Sequence, residues 1–118
     1  MLHLSASCKY YLYRQPTDMR KGFDSLSGIV NSELKMDVLN GAVFIFINKK
    51  HNQVKLLLWE GDGFALYYKR LEKGTYEMPA TVENHTEFSI SHEALQHILQ
   101  GVSLKSIRKR KRYQQSNK

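Results

Sequence analysis

The chain has one cysteine and two prolines in 118 residues. Cys8 alone closes no internal disulfide, so packing must hold the fold, as expected of a protein in a reducing cytoplasm. No apolar run approaches the roughly 20 residues that span a bilayer, which excludes a helical membrane anchor. The start, Met1 to Tyr11, lacks the charged segment and apolar stretch of a secretory leader. There is no nucleophile elbow, no phosphate-cradling glycine loop and no pair of zinc-spaced cysteines. The histidines His3, His51, His85, His92 and His97 have no ligand spacing. No enzyme chemistry, metal or cofactor is therefore expected.

Acids are missing from the end of the chain. Residues 105–118 hold seven of the eighteen lysines and arginines and no Asp or Glu. The first 104 residues carry eleven charges of each sign, so the net charge of +7 belongs to that end alone. A neutral body (1–104, one domain) with a basic tail (105–118, expected to be disordered) suggests an electrostatic arm for a polyanion.

The body reads as α+β. Tyr10 to Tyr13 is a short strand. Thr17 or Asp18 caps a helix whose stripe is Met19, Phe23, Leu26, Ile29, Val30 and Leu34. Asn40-Gly41 breaks the chain before a β-rich region. Val43 to Ile47, Val54 to Trp59 and Phe64 to Leu71 are strands joined by polar turns. Tyr76 to Met78 and Phe88 to Ile90 are candidates for short edge strands. Ser91 caps a second helix carrying Ala94, Leu95, Ile98 and Leu99, stopped by Gly101. The expected architecture is an antiparallel meander of about four to five strands packed with two helices.

The hairpin registers follow if Ile47 faces Val54 and Trp59 faces Phe64. Val43, Ile45, Ile47, Val54, Leu56 and Leu58 then share one face. Phe44, Phe46, Leu57, Trp59, Phe64, Leu66 and Tyr68, with Lys55 and Arg70, share the other. Both faces are apolar, whereas a sheet with one wet face alternates. Either helices cover both faces or one face meets a partner.

Glu60 and Asp62, set between glycines beside Trp59, could in principle hold a metal or perform acid/base work. Their position in a four-residue loop between two strands favours a plain turn. The nucleic-acid candidates are cationic. Arg108, Lys109, Arg110, Lys111 and Arg112 form an unbroken run suited to phosphates, giving affinity without base specificity. Arg20 and Lys21 fall in the first turn of the expected helix, where free amides would also favour phosphate. Lys55 and Arg70 lie beside aromatics on one sheet face, an arrangement that can stack single-stranded bases. More often such aromatics are simply core beneath a helix, or a protein interface.

The segments PTDMRKGFDSLSGIV and GAVFIFINKKHNQVKLLLWEGDGFALYYKRLEKGTYEMP, followed by a late helix and a basic end, resemble one family across roughly Tyr10 to Tyr113. It is the small accessory protein of the bacterial insertion-sequence-sixty-six elements, the product of their second reading frame (TnpB type). The resemblance implies a non-enzymatic role in DNA transposition beside a separate transposase. It carries over no catalytic residue. The expected partners are DNA and the transposase of the same element, with no membrane; self-association stays open. The rival reading is a single-stranded nucleic-acid-binding module using the aromatic and basic sheet face.

Overall fold

The computed structural model describes residues 7–77 and 89–100. Five strands form one sheet: β1 (Tyr10–Leu12), β2 (Val43–Ile47), β3 (Gln53–Trp59), β4 (Phe64–Arg70) and β5 (Ser89–Ile90). Their spatial order is β4-β3-β2-β1-β5. The α-helices are α1 (Phe23–Ile29), which runs on into a π-helical segment at Val30–Leu34, and α2 (His92–Gln100). The meander β2-β3-β4 has the expected registers, with Ile47 opposite Val54 and Trp59 opposite Phe64. β1 departs from an antiparallel meander: it pairs parallel to β2, the chain crossing over through α1. A parallel neighbour needs such a crossover, which a hairpin cannot supply.

Helices cover both faces of the sheet. On one, Val43, Ile45, Ile47, Val54 and Leu56 pack with Leu95 and Ile98 of α2 and with Tyr76. On the other, Phe44, Phe46 and Leu57 pack with Leu26, Val30 and Leu34. This is why β2 is buried at every position. Phe44 and Phe46 are 0% exposed and belong to the core, so they offer no face to a stacked base. Trp59 is half-buried and meets Phe64 edge-on at 5.0 Å.

Several boundaries differ from the sequence reading. The first helix starts at Phe23, with Gly22 as its cap, because Asp18 spends its side chain on a turn. The Arg20 amide donates to Asp18 Oδ1 at 2.9 Å and the Lys21 amide to the Asp18 carbonyl at 3.1 Å, closing the chain locally. Phe23, expected in the apolar stripe, is 45% exposed. The π-helical segment ends at Lys35, which sits in the left-handed region at φ 55°. Tyr76 and Glu77 form no strand, although the Tyr76 amide donates to the His51 carbonyl at 2.6 Å; Met78 lies outside the described residues. Ser91 caps α2 as expected, its Oγ accepting from the Ala94 amide at 3.0 Å. Ser89–Ile90 forms the edge strand, Phe88 lying outside the described residues.

Candidate nucleic-acid interface

The turn between β2 and β3 is built by Asn48. Its Oδ1 accepts from the amides of Asn52 (3.0 Å) and Gln53 (2.9 Å), and its Nδ2 donates to Asn52 Oδ1 at 2.7 Å. His51 completes the turn at φ 59°, its amide donating to the Asn48 carbonyl. An asparagine bonded in this way fixes a turn without help from the ladder. The two residues at its tip, Lys49 and Lys50, are exposed.

The segment before α1 is tied to the same end of the sheet. The Thr17 amide donates to the Ile47 carbonyl at 2.9 Å, anchoring the segment to the end of β2. From below, the Lys55 ammonium donates to the Lys21 carbonyl at 2.7 Å and lies 4.8 Å from the Tyr68 ring centroid. Lys55 is only 7% exposed. Its charge is engaged with the backbone and an aromatic ring, which suits a residue that pins the loop rather than one offered to a phosphate. Buried ammonium groups need such bonds, because losing water without replacement is costly.

These ties create a cleft of about 600 Å³ lined by Pro16–Arg20, Asn48–Lys50, Gln53 and Tyr68. Arg20, Lys49 and Lys50 bring three cations to it, and Asp18 is the one acid among the lining residues. Asp18 is held by Arg20, whose Nη2 donates to its Oδ2 at 2.7 Å and whose Nε donates at 3.1 Å. The Arg20 side-chain bonds, then its backbone bond, pull the Asp18 carboxyl down to about 2. Asp18 therefore stays ionised, and part of the Arg20 charge is answered locally. Lys49 and Lys50 have no ion pair of 4 Å or less among the described residues. The Tyr68 hydroxyl donates to Gln53 Oε1, which holds the tyrosine at the cleft wall.

The sequence candidates thus separate. Arg20 lines the cleft; Lys21 is exposed beside it but does not line it, and neither lies at a helix start. Arg70 is exposed at the end of β4, 3.4 Å from Glu72. Arg108 to Arg112 lie outside the described residues. Lys49, Lys50 and Tyr68 were not among the candidates. The sequence signal for the lysines was a paired cation at a hairpin tip, ordinary by itself until the fold sets Arg20 beside it. Glu60 and Asp62 are exposed in the turn between β3 and β4, closed by the Glu60 amide donating to the Gly63 carbonyl at 2.8 Å. Gly61 in that turn has φ 97°, the reason a glycine stands there. Among the described residues no group of three His, Cys, Asp or Glu side chains could hold a metal ion. No helix among them is long and apolar enough to cross a membrane.

Fold and cleft define a small α+β domain built around a doubly covered sheet, with cations at one end. The chain belongs to the family described as "IS66 Orf2 like protein", whose pattern it matches over residues 8–109. It is an accessory-protein family associated with transposition by insertion sequences. Two relatives come from Sinorhizobium fredii. The uncharacterized protein y4hO is 30% identical over 102 residues, covering 86% of this chain and 87% of that one. The uncharacterized protein y4jC is 32% identical over 79 residues, covering 67% and 68%. No solved structure matches the chain.

Proposed function

We propose that this protein is a non-enzymatic accessory factor of transposition that contacts DNA phosphates through Arg20, Lys49 and Lys50 and through its basic tail. Its folded body would bind the transposase of the same element. The observation that carries the DNA contact is the convergence on one cleft of cations some 30 positions apart in sequence. Fixed cations at a turn neutralise phosphates and release counterions, which gives salt-dependent affinity with no base preference. Arg108 to Arg112 add the same chemistry through their charge. Family membership supports the setting, since a transposition accessory acts on a DNA–protein assembly. The expected location is the cytoplasm, where element DNA and transposase meet.

The test is co-purification with the transposase encoded by the same element, with and without the element's terminal DNA. Association that persists at high salt without DNA supports a protein contact made by the body. Association that requires DNA and disappears with salt leaves only the nucleic-acid role. Divalent-metal-dependent cleavage of DNA by the purified protein would contradict the non-enzymatic reading.

A further inference from the structure

Among the described residues β4 is an edge strand, and its only protection is the Lys69–Arg70 pair at its end. It pairs with β3 along its whole length, Phe64 to Arg70, without a bulge, and contains no proline. Proteins blunt such edges because unpaired N–H and C=O groups recruit another strand. Its outer half is also aromatic: Tyr67 is 38% and Tyr68 52% exposed. The opposite edge, β5, spans only Ser89–Ile90.

The ladder shows which groups are open. The Glu60 amide donates to the Gly63 carbonyl, and the Leu71 amide donates to the Asn52 carbonyl. Antiparallel ladders alternate, so the odd-numbered residues between these bonds face β3. Phe64, Leu66, Tyr68 and Arg70 then direct their N–H and C=O groups outward.

The charges choose the occupant. The acidic turn with Glu60 and Asp62 precedes β4, and Lys69 and Arg70 end it. A strand with an acidic start and a basic finish complements itself when paired antiparallel. We infer that β4 pairs with β4 of a second copy, about a two-fold axis at Leu66, joining two sheets into one. In this register Leu66 opposes Leu66, Phe64 opposes Tyr68 of the second copy, and Arg70 reaches the Asp62 turn of the second copy at both ends. The pairs within β4 fall on outward-bonding residues, and Asp62 meets Arg70 from the turn that precedes the strand. Sliding by two residues in one direction sets Asp62 against Glu72, which repels. Sliding by two in the other sets Glu60 against Arg70 but leaves Asp62 facing Tyr68 and shortens the paired stretch to Phe64–Leu66. Cross-strand aromatic–apolar pairs and opposite charges are the units that stabilise such a ladder.

Sedimentation velocity on the full chain across a concentration series tests this, with Arg70→Asp, Asp62→Arg, the double exchange and Tyr68→Pro. The wild type should sediment as a dimer. Each single reversal should weaken self-association about tenfold, and the double exchange should restore it. Tyr68→Pro removes an outward N–H that β3 does not use, and should give a folded monomer by circular dichroism. Both exchanged charges are exposed, so rescue by the double variant cannot arise from misfolding. A wild type that is monomeric at every concentration overturns the inference. So does a dimer indifferent to both reversals, or a double exchange as weak as the single ones.

Discussion

The turn joining β2 to β3 carries Lys49 and Lys50, and the turn joining β3 to β4 carries Glu60 and Asp62. Both connect strands of one meander, and both present exposed charge. The difference lies in what each stands beside. The basic turn is braced by Asn48 and faces the Thr17–Arg20 segment, so its cations share a cleft with Arg20. Among the described residues the acidic turn has no metal-capable cluster around it and stands at the root of an edge strand. Charge at a turn acquires a role only from the elements that the fold sets against it. Here the basic turn is suited to phosphate, and the acidic one to the complementary end of another β4.

The comparison can be challenged at several points. The largest effect is expected from the tail, which adds five consecutive cations to those of the basic turn. If Arg108 to Arg112 each neutralise one phosphate, they add about −4.5 to the salt slope, or roughly 500-fold in affinity between 50 and 200 mM salt. Removing residues 105–118 should abolish that share and keep the folded body; fluorescence anisotropy with nonspecific duplex DNA reads it.

Lys55 holds the cleft from below, so Lys55→Ala should destabilise the domain by about 2 kcal/mol through the lost bond to Lys21 and lost stem packing. Lys55→Met keeps the stem and should cost only about 1 kcal/mol. Urea denaturation of both variants separates the two contributions. Equal losses would mean that the stem packing contributes nothing, and a Lys55→Met variant as stable as the wild type would mean that the ammonium bond contributes nothing.

Tyr76 is buried against the sheet, and burial, aided by nearby Tyr67, raises its hydroxyl to about 12. The folded state thus favours the neutral phenol. Its contribution is complete below the ordinary value of 10.0 and is lost as pH rises from there toward 12. Tyr76→Phe should flatten that alkaline limb in thermal melts taken across pH. The smallest effect belongs to the acidic turn: Glu60→Gln with Asp62→Asn should leave duplex affinity within about threefold, since acids outside the cleft bear on phosphate only at long range.

Much of the sheet could be read before the structure. Runs such as VFIFI and VKLLLW are apolar on both sides, and polar turns of fixed length set their registers, so both hairpins followed; the two apolar faces left open whether helices or a partner covers the second, and the fold covers both with helices. Local chemistry misled at Asp18, which resembles a helix cap but bonds to the Arg20 side chain and amide instead. The parallel β1–β2 pair depends on a crossover rather than on any residue of β1. Lys55 looked like a surface cation on a sheet face; only the fold, by placing the Lys21 carbonyl above it, shows it to be a buried brace. The cleft was illegible for the same reason, since the bond from Thr17 to Ile47 sets Arg20 near Lys49 and Lys50. The basic tail lies outside the described residues, and its reading rests on charge alone.

The most direct test of the account is the salt dependence of duplex binding for the wild type and for Lys49→Ala with Lys50→Ala. Both lysines are exposed at a turn tip, so the double variant should fold normally. Two lost phosphate contacts should reduce the slope of log affinity against log salt by about 1.8. A double variant with the wild-type slope and affinity would contradict the account, because the basic turn would then be as silent toward DNA as the acidic one.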